Sequence, residues 1–229
     1  HAPTPSMAVA GRVSFESVGG VALIQPQAVL RQALHELVLT GRLGRLRHCE
    51  QAGRRWVETN NWITFFAPVI AELLPQAQFV HLHRHPAEVV ASGVARRWYA
   101  GNKLDSARPT PLPDDPAHAA WPGMDPLART CWLWETTNRF ILNFTATVAP
   151  ERVLTISMND IGADQLQSLA QFVGCRLSRR RVTCVLRRRK PLNAQQHHAR
   201  LPFAHWESCN REVLIKICGH TAQQLGYSL

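Results

Sequence analysis

The run Gln78-Phe-Val-His-Leu-His-Arg-His-Pro-Ala-Glu-Val-Val-Ala-Ser92 constrains the fold of this chain more than any other. Phe79, Val80 and Leu82 form a short apolar run, the pattern of a buried strand. The run stops at Arg84-His85-Pro86. Pro86 suits the first position of a helix, because its missing N–H would have no partner there in any case. Val89, Val90, Val94 and Trp98 then recur at helical spacing. The local prediction is strand, tight turn, helix. Arg84 falls at the carboxyl end of the strand, and Ser92 follows within about two helical turns. A helix N-terminus offers unpaired N–H groups and partial positive charge. With a guanidinium beside it, the junction suits a phosphate. The alternative is that Arg84 pairs with a surface carboxylate, since strand–Arg–Pro–helix junctions occur in many α/β folds.

The flanking segments predict a parallel sheet. Arg55-Trp-Val-Glu-Thr59 reads as a strand, and Asn60 as the N-cap of an apolar helix from Trp62 to Leu74, kinked at Pro68. Pro75 ends that helix before Gln78. A strand–helix–strand unit of this kind builds parallel pairing. Arg152-Val-Leu-Thr-Ile156 reads as a further strand, and Gly162 to Val173 as a helix capped by Gly174. Longer helices are predicted over Gln25–Thr40, with Gly41 as cap, over Leu127–Val148 and over Trp206–Leu225. Trp132, Trp134 and Phe140 read as core. Residues 1–25 read as irregular. Pro109, Pro111, Pro113, Pro116, Pro122 and Pro126 mark residues 99–126 as a long loop, read as a substrate-side segment in preference to a linker. The expectation is one domain over residues 1–229, with a central parallel sheet and helices on both faces.

Charge narrows the partners. The chain carries 26 Lys and Arg against 16 Asp and Glu, a net charge of +10. That favours polyanionic partners, whether nucleic acid, an anionic surface or a nucleotide with several phosphates. The densest basic region is Arg179-Arg-Arg181 with Arg187-Arg-Arg-Lys190, but no recognisable nucleic-acid module contains it. Arg42, Arg45, Arg47, Arg54 and Arg55 read as a solvated face. Six cysteines lie scattered, with no CxxC pair or metal-ligand spacing. They read as thiols of a reducing compartment, and the protein as cytoplasmic. No run of 18 apolar residues suggests a membrane span.

These residues also carry a resemblance. Phe79 to Ser92 resembles the segment of PAPS-dependent sulfotransferases that binds the 3′-phosphate of the donor 3′-phosphoadenosine 5′-phosphosulfate. In that family an Arg ends a strand, an Asp or Asn and a Pro follow, and a Ser lies eight positions after the Arg. Here His85 replaces the Asp or Asn. Glu58-Thr59-Asn60-Asn61 is similar to the family's preceding strand end, without its Lys. Asn159-Asp160-Ile161 stands at the corner where the family has Glu-Asp-Leu, with Asp160 in a structural role. Arg189-Lys190-Pro191 resembles the basic loop that closes over the 3′-phosphate, and Leu225-Gly-Tyr227 is similar to a common C-terminal ending.

The resemblance implies a P-loop-NTPase-like α/β fold and sulfuryl transfer from PAPS to a hydroxyl or amine, with 3′,5′-adenosine bisphosphate as product. It implies Arg84, Ser92, Arg189, Lys190 and Asn193 as donor-binding residues, and a small-molecule, carbohydrate or peptide acceptor. A base must take the acceptor's proton. Glu58, at the end of a predicted strand, is the first candidate, and Glu16 is the rival. His83 and His85, on either side of Arg84, are packing or cofactor contacts. The family's Gly- and Ser/Thr-rich loop for the 5′-phosphosulfate is not found in the chain, so it is expected upstream of His1. The alternatives are a non-catalytic nucleotide- or polyanion-binding protein and a basic nucleic-acid-binding domain.

Overall fold

A computed structural model describes residues 28–59, 61–188 and 203–229. Two compact units divide the chain. One comprises residues 1–77 and 100–124, the other residues 78–99 and 125–229.

In the first unit, α1 (Ala28–Gln51) packs on α2 (Ala67–Leu73). Val38 of α1 is buried with Phe66 and Val69, and Ile63, Ile70 and Leu73 close around them. His35 Nε2 meets Glu72 Oε2 at 3.0 Å and ties the same pair of helices. The expected stop at Gly41 does not occur. The helix runs on through Gly41 and Gly44 and ends instead at Gly53, whose φ of 59° is the left-handed geometry of a Schellman cap. There Gly53 N–H donates to Glu50 O and Arg54 N–H to Cys49 O. Gly in mid-helix costs only about 1 kcal/mol, which packing on α2 outweighs. Pro68 does not kink a helix either. It lies in the first turn of α2, after a 3₁₀ segment over Asn61–Phe66. Asn60, the predicted cap, lies outside the described residues.

The predicted strand at 55–59 is corrected. Residues 54–59 have no regular secondary structure and pair with no strand among the described residues. They are held by side chains instead. Arg42, 5% exposed, donates from Nε to Glu58 Oε2 at 2.6 Å, and Arg45 lies 5.4 Å from the centre of the Trp56 ring. Arg42 therefore leaves the solvated face on which the sequence places it. Residues 99–126 form turns with two short 3₁₀ segments, Asp105–Ala107 and Trp121–Gly123.

In the second unit, β1 (Phe79–His83) and β2 (Val153–Ser157) pair in parallel, Phe79 with Val153 through His83 with Ser157. The α/β class and parallel pairing are as expected, and two strands make up the sheet among the described residues. Around it lie α3 (Pro86–Ala95), α4 (Pro126–Thr145), α5 (Ala163–Phe172), α6 (Arg179–Arg188) and α7 (Ser208–Gln224). The core joins α3, α4 and α7. Val90, Cys131, Leu214, Cys218 and Ala222 are fully buried, and Trp134 nearly so. Each large apolar side chain sealed there contributes about 1.5–3 kcal/mol. Val182 anchors α6, which packs on α5. The five arginines of α6 are exposed. No helix among the described residues is long and apolar enough to cross a membrane.

The inward face of β1 differs from expectation. Side chains alternate along a strand, so 79, 81 and 83 share a face. It is His81 and His83 that are buried, while Val80 and Leu82 are 41% and 51% exposed. Asn138 and Tyr227, from distant parts of the chain, supply the hydrogen bonds that let two histidines replace aliphatic residues there.

The end of α3 sets a close approach. Arg97 adopts φ 57°, and Trp98 N–H donates back to Gly93 O at 3.0 Å. This Schellman turn folds Trp98 over Gly93. A Cβ on Gly93 would lie 2.6 Å from Trp98 Cε3 and 2.7 Å from Thr130 Cγ2. Overpacking costs about 1–3 kcal/mol, against roughly 1 kcal/mol gained by Ala over Gly in a helix. Gly93→Ala is therefore expected to lower stability by up to about 2 kcal/mol in thermal unfolding. Gly44→Ala in α1, with nothing within 4 Å of the added Cβ, should be neutral or stabilising. Equal melting shifts for the two variants would refute the close approach.

Candidate active site

The junction between β1 and α3 forms as its sequence predicts. Pro86 opens α3, and His85 is its N-cap, with Nδ1 accepting from Ala87 N–H at 3.2 Å. This explains why a histidine is tolerated where the resemblance has Asp or Asn, since any side-chain acceptor at that position can satisfy a free N–H. The backbone is pinned as well: Trp134 Nε1–H donates to Arg84 O at 3.1 Å.

Arg84 leaves the sheet at its carboxyl end. Its Nε donates to Glu88 Oε2, one turn along α3. Glu88 Oε1 accepts from Asn159 Nδ2 at 2.9 Å, and Asn159 follows β2. The chain Arg84–Glu88–Asn159 thus bridges the exits of both strands. The sequence reading offered a carboxylate partner for Arg84 as the alternative to a phosphate, and Glu88 is that partner. A guanidinium has five donors. The Arg84 side chain is 39% exposed, so an anion can approach it while Nε stays bound.

Ser92 lies in the second turn of α3 and is 7% exposed. Its Oγ accepts from Arg96 Nη1. Arg96 was missed in the sequence, although its i,i+4 spacing from Ser92 is visible there.

A second bridge runs parallel to the first. His83 Nδ1 lies 2.8 Å from Tyr227 Oη, which donates to Ser157 Oγ at 3.4 Å. Tyr227 follows α7 through Gly226, whose φ of 81° turns the chain back so that Tyr227 N–H reaches Ala222 O. Its ring meets His83 and His85 edge-on, at 5.3 and 5.1 Å between centres. Burial lowers the His83 pKa, with Asp160 pulling in the opposite direction. Burial also lifts the Tyr227 hydroxyl above its usual range, a shift that the Ser157 hydrogen bond opposes. Deeper on the strand, His81 Nε2 meets Asn138 Oδ1 at 3.1 Å, and burial drives its pKa down to about 4.

Of the other predicted residues, Glu16, Arg189, Lys190 and Asn193 lie outside the described residues. Glu58 belongs to the first unit, where it holds Arg42. Glu58→Ala is expected to destabilise the protein by about 1–3 kcal/mol, because a buried guanidinium loses its carboxylate. Glu58→Gln, which keeps an acceptor, should lose less in urea unfolding. Equal losses would show that the pair does not anchor residues 54–59. No group of three or more His, Cys, Asp or Glu side chains suited to a metal occurs among the described residues. All six cysteines are free thiols.

A parallel strand pair with an arginine at its carboxyl end, beside a helix N-terminus, places a guanidinium and helix-start N–H groups at one edge of an α/β sheet. The family model of the sulfotransferases matches residues 22–178, and the chain belongs to that family. Among solved structures, the sulfotransferase domain from the curacin biosynthetic pathway aligns over 82% of this chain and 67% of its own, with a TM-score of 0.51 and 21% identity. That likeness speaks for the fold. No curated protein matches the chain.

Proposed function

We propose that this sulfotransferase takes its sulfuryl group from PAPS and delivers it to a hydroxyl or amine of a small-molecule, carbohydrate or peptide acceptor. In the transfer the acceptor oxygen or nitrogen forms a bond to sulfur while the bond from sulfur to the bridging phosphate oxygen breaks. The acceptor's proton passes to a base, and 3′,5′-adenosine bisphosphate leaves. The observation that carries the reading is Arg84, half-exposed at the exit of β1 against the first turn of α3. There the guanidinium and the helix N-terminus favour the same dianion.

On this reading Arg84 receives the 3′-phosphate and Ser92, through Arg96, lends a second guanidinium to the same helix. Arg189, Lys190 and Asn193 close the site from the C-terminal side. Glu58 and Glu16 are the candidate bases. The six free thiols support a reducing, cytoplasmic setting. Calorimetric titration of 3′,5′-adenosine bisphosphate into the protein tests the donor half of the reading. Saturable one-to-one binding is the expected result, and radiolabelled PAPS then screens acceptors. No heat of binding at millimolar nucleotide would overturn the proposal.

A further inference from the structure

The bridge from His83 to Tyr227 has a geometry that packing alone does not call for. His83 is 7% exposed and sits one residue before Arg84, at the last position of β1. Its Nδ1 is taken up by Tyr227 Oη at 2.8 Å. Its Nε2 makes no hydrogen bond among the described residues, yet it is not among the polar atoms sealed from solvent. His81 Nδ1, two residues earlier on the same face, is so sealed. An imidazole with one nitrogen held by a second group and the other left open is poised to act at the open nitrogen.

We infer that His83 is a further anion-contacting residue of this site, with Nε2 donating to an oxygen of the phosphate at Arg84 and Tyr227 as its positioning residue. The inference rests on the nucleotide-binding reading above. The hydroxyl chain supports it chemically. When the imidazole is neutral and Tyr227 O–H turns from Ser157 Oγ to Nδ1, the ring proton sits on Nε2. When it is charged, Nδ1–H donates to Tyr227 Oη, and the phenol proton turns to Ser157 Oγ, which lies 3.4 Å away. Both states present an N–H at Nε2, and an anion there selects them.

The titratable and charged groups around His83 are His81 on its own strand, Arg84, His85 and Glu88 at the start of α3, Asp160 after β2, and Tyr227 after α7. Burial lowers its pKa and Asp160 opposes that. A bound dianion adds to the effect of Asp160, so binding is coupled to proton uptake.

The test combines affinity with a direct view of the ring. In the wild-type protein, ¹⁵N-histidine NMR with saturating 3′,5′-adenosine bisphosphate should show His83 protonated at Nε2, with that resonance moved by the nucleotide. Calorimetry should find His83→Gln about tenfold weaker in nucleotide affinity, and Tyr227→Phe about threefold weaker, as expected for lost orientation rather than lost contact. The wild-type advantage over His83→Gln should grow as pH falls from 8 to 6, a slope that a purely structural residue would not produce. If the wild-type protein binds but His83→Gln matches its affinity and slope, and the His83 nitrogens ignore the nucleotide, the inference is overturned while the donor reading stands. If the wild-type protein binds no nucleotide, the donor reading falls, and this inference with it.

Discussion

Arg84→Ala is expected to weaken binding of 3′,5′-adenosine bisphosphate by about 100-fold. A hydrogen bond to a charged group contributes roughly 1.5–3 kcal/mol, or about 10- to 100-fold in affinity. The guanidinium offers more than one such bond to a phosphate. A second effect works in the same direction. In the wild-type protein Glu88 is neutralised by Arg84 and held by Asn159. Without Arg84 its carboxylate stays on Asn159 and faces the incoming phosphate with like charge. Arg84→Ala/Glu88→Gln should therefore bind better than Arg84→Ala alone. The local backbone should survive the substitution, because Trp134 holds the Arg84 carbonyl and His85 caps α3 with its own side chain. Calorimetry on the single and double variants checks both parts. Wild-type affinity in Arg84→Ala would move the donor phosphate away from this junction.

Acid should destabilise the protein well before its carboxylates protonate. His81 is 4% exposed, and its pKa is pushed from 6.5 down to about 4. Burial is the cause, and the hydrogen bond from His81 Nε2 to Asn138 Oδ1 opposes it only in part. The unfolded chain therefore binds a proton on this residue between about pH 6.5 and 4 that the folded chain does not. Stability rises with pH wherever the unfolded state holds more protons. The contribution is complete above pH 6.5 and is lost as pH falls to about 4. At 1.36 kcal/mol per pKa unit, the loss is about 3 kcal/mol. His83, also lowered by burial, adds in the same direction. Urea unfolding across pH 4–7 should show this slope, and His81→Gln, neutral throughout, should flatten it. An unchanged slope in that variant would assign the acid sensitivity to other groups.

What the chain declares locally came through. Pro86 opens α3, and Val89, Val90 and Val94 lie on that helix, while Trp98 falls in the turn that ends it. Gly174 ends α5, with its N–H on Gln171 O, as a cap at that position requires. The position of Arg84 at a strand exit was legible too. Each of these depends on conformational preferences within a few residues, which neighbouring side chains and the backbone determine directly.

The parts that were not legible involve partners far along the chain. Hydrophobicity marked Phe79, Val80 and Leu82 as a buried apolar run, but it cannot say which face of the strand a fold will cover. Asn138 and Tyr227 decided it, 57 residues from His81 and 144 residues from His83. The stretch at 55–59 has strand propensity but no ladder partner among the described residues, and a strand exists only through pairing. Arg42 became a buried cation because Glu58 arrived beside it. Glu88 could be read from its i,i+4 spacing to Arg84, whereas Asn159, 71 residues from Glu88, could not. The sequence by itself determined the strand–turn–helix that carries the proposed anion site. Tertiary structure alone decided which polar groups complete that site, because hydrogen-bond partners of buried side chains are chosen by packing in three dimensions.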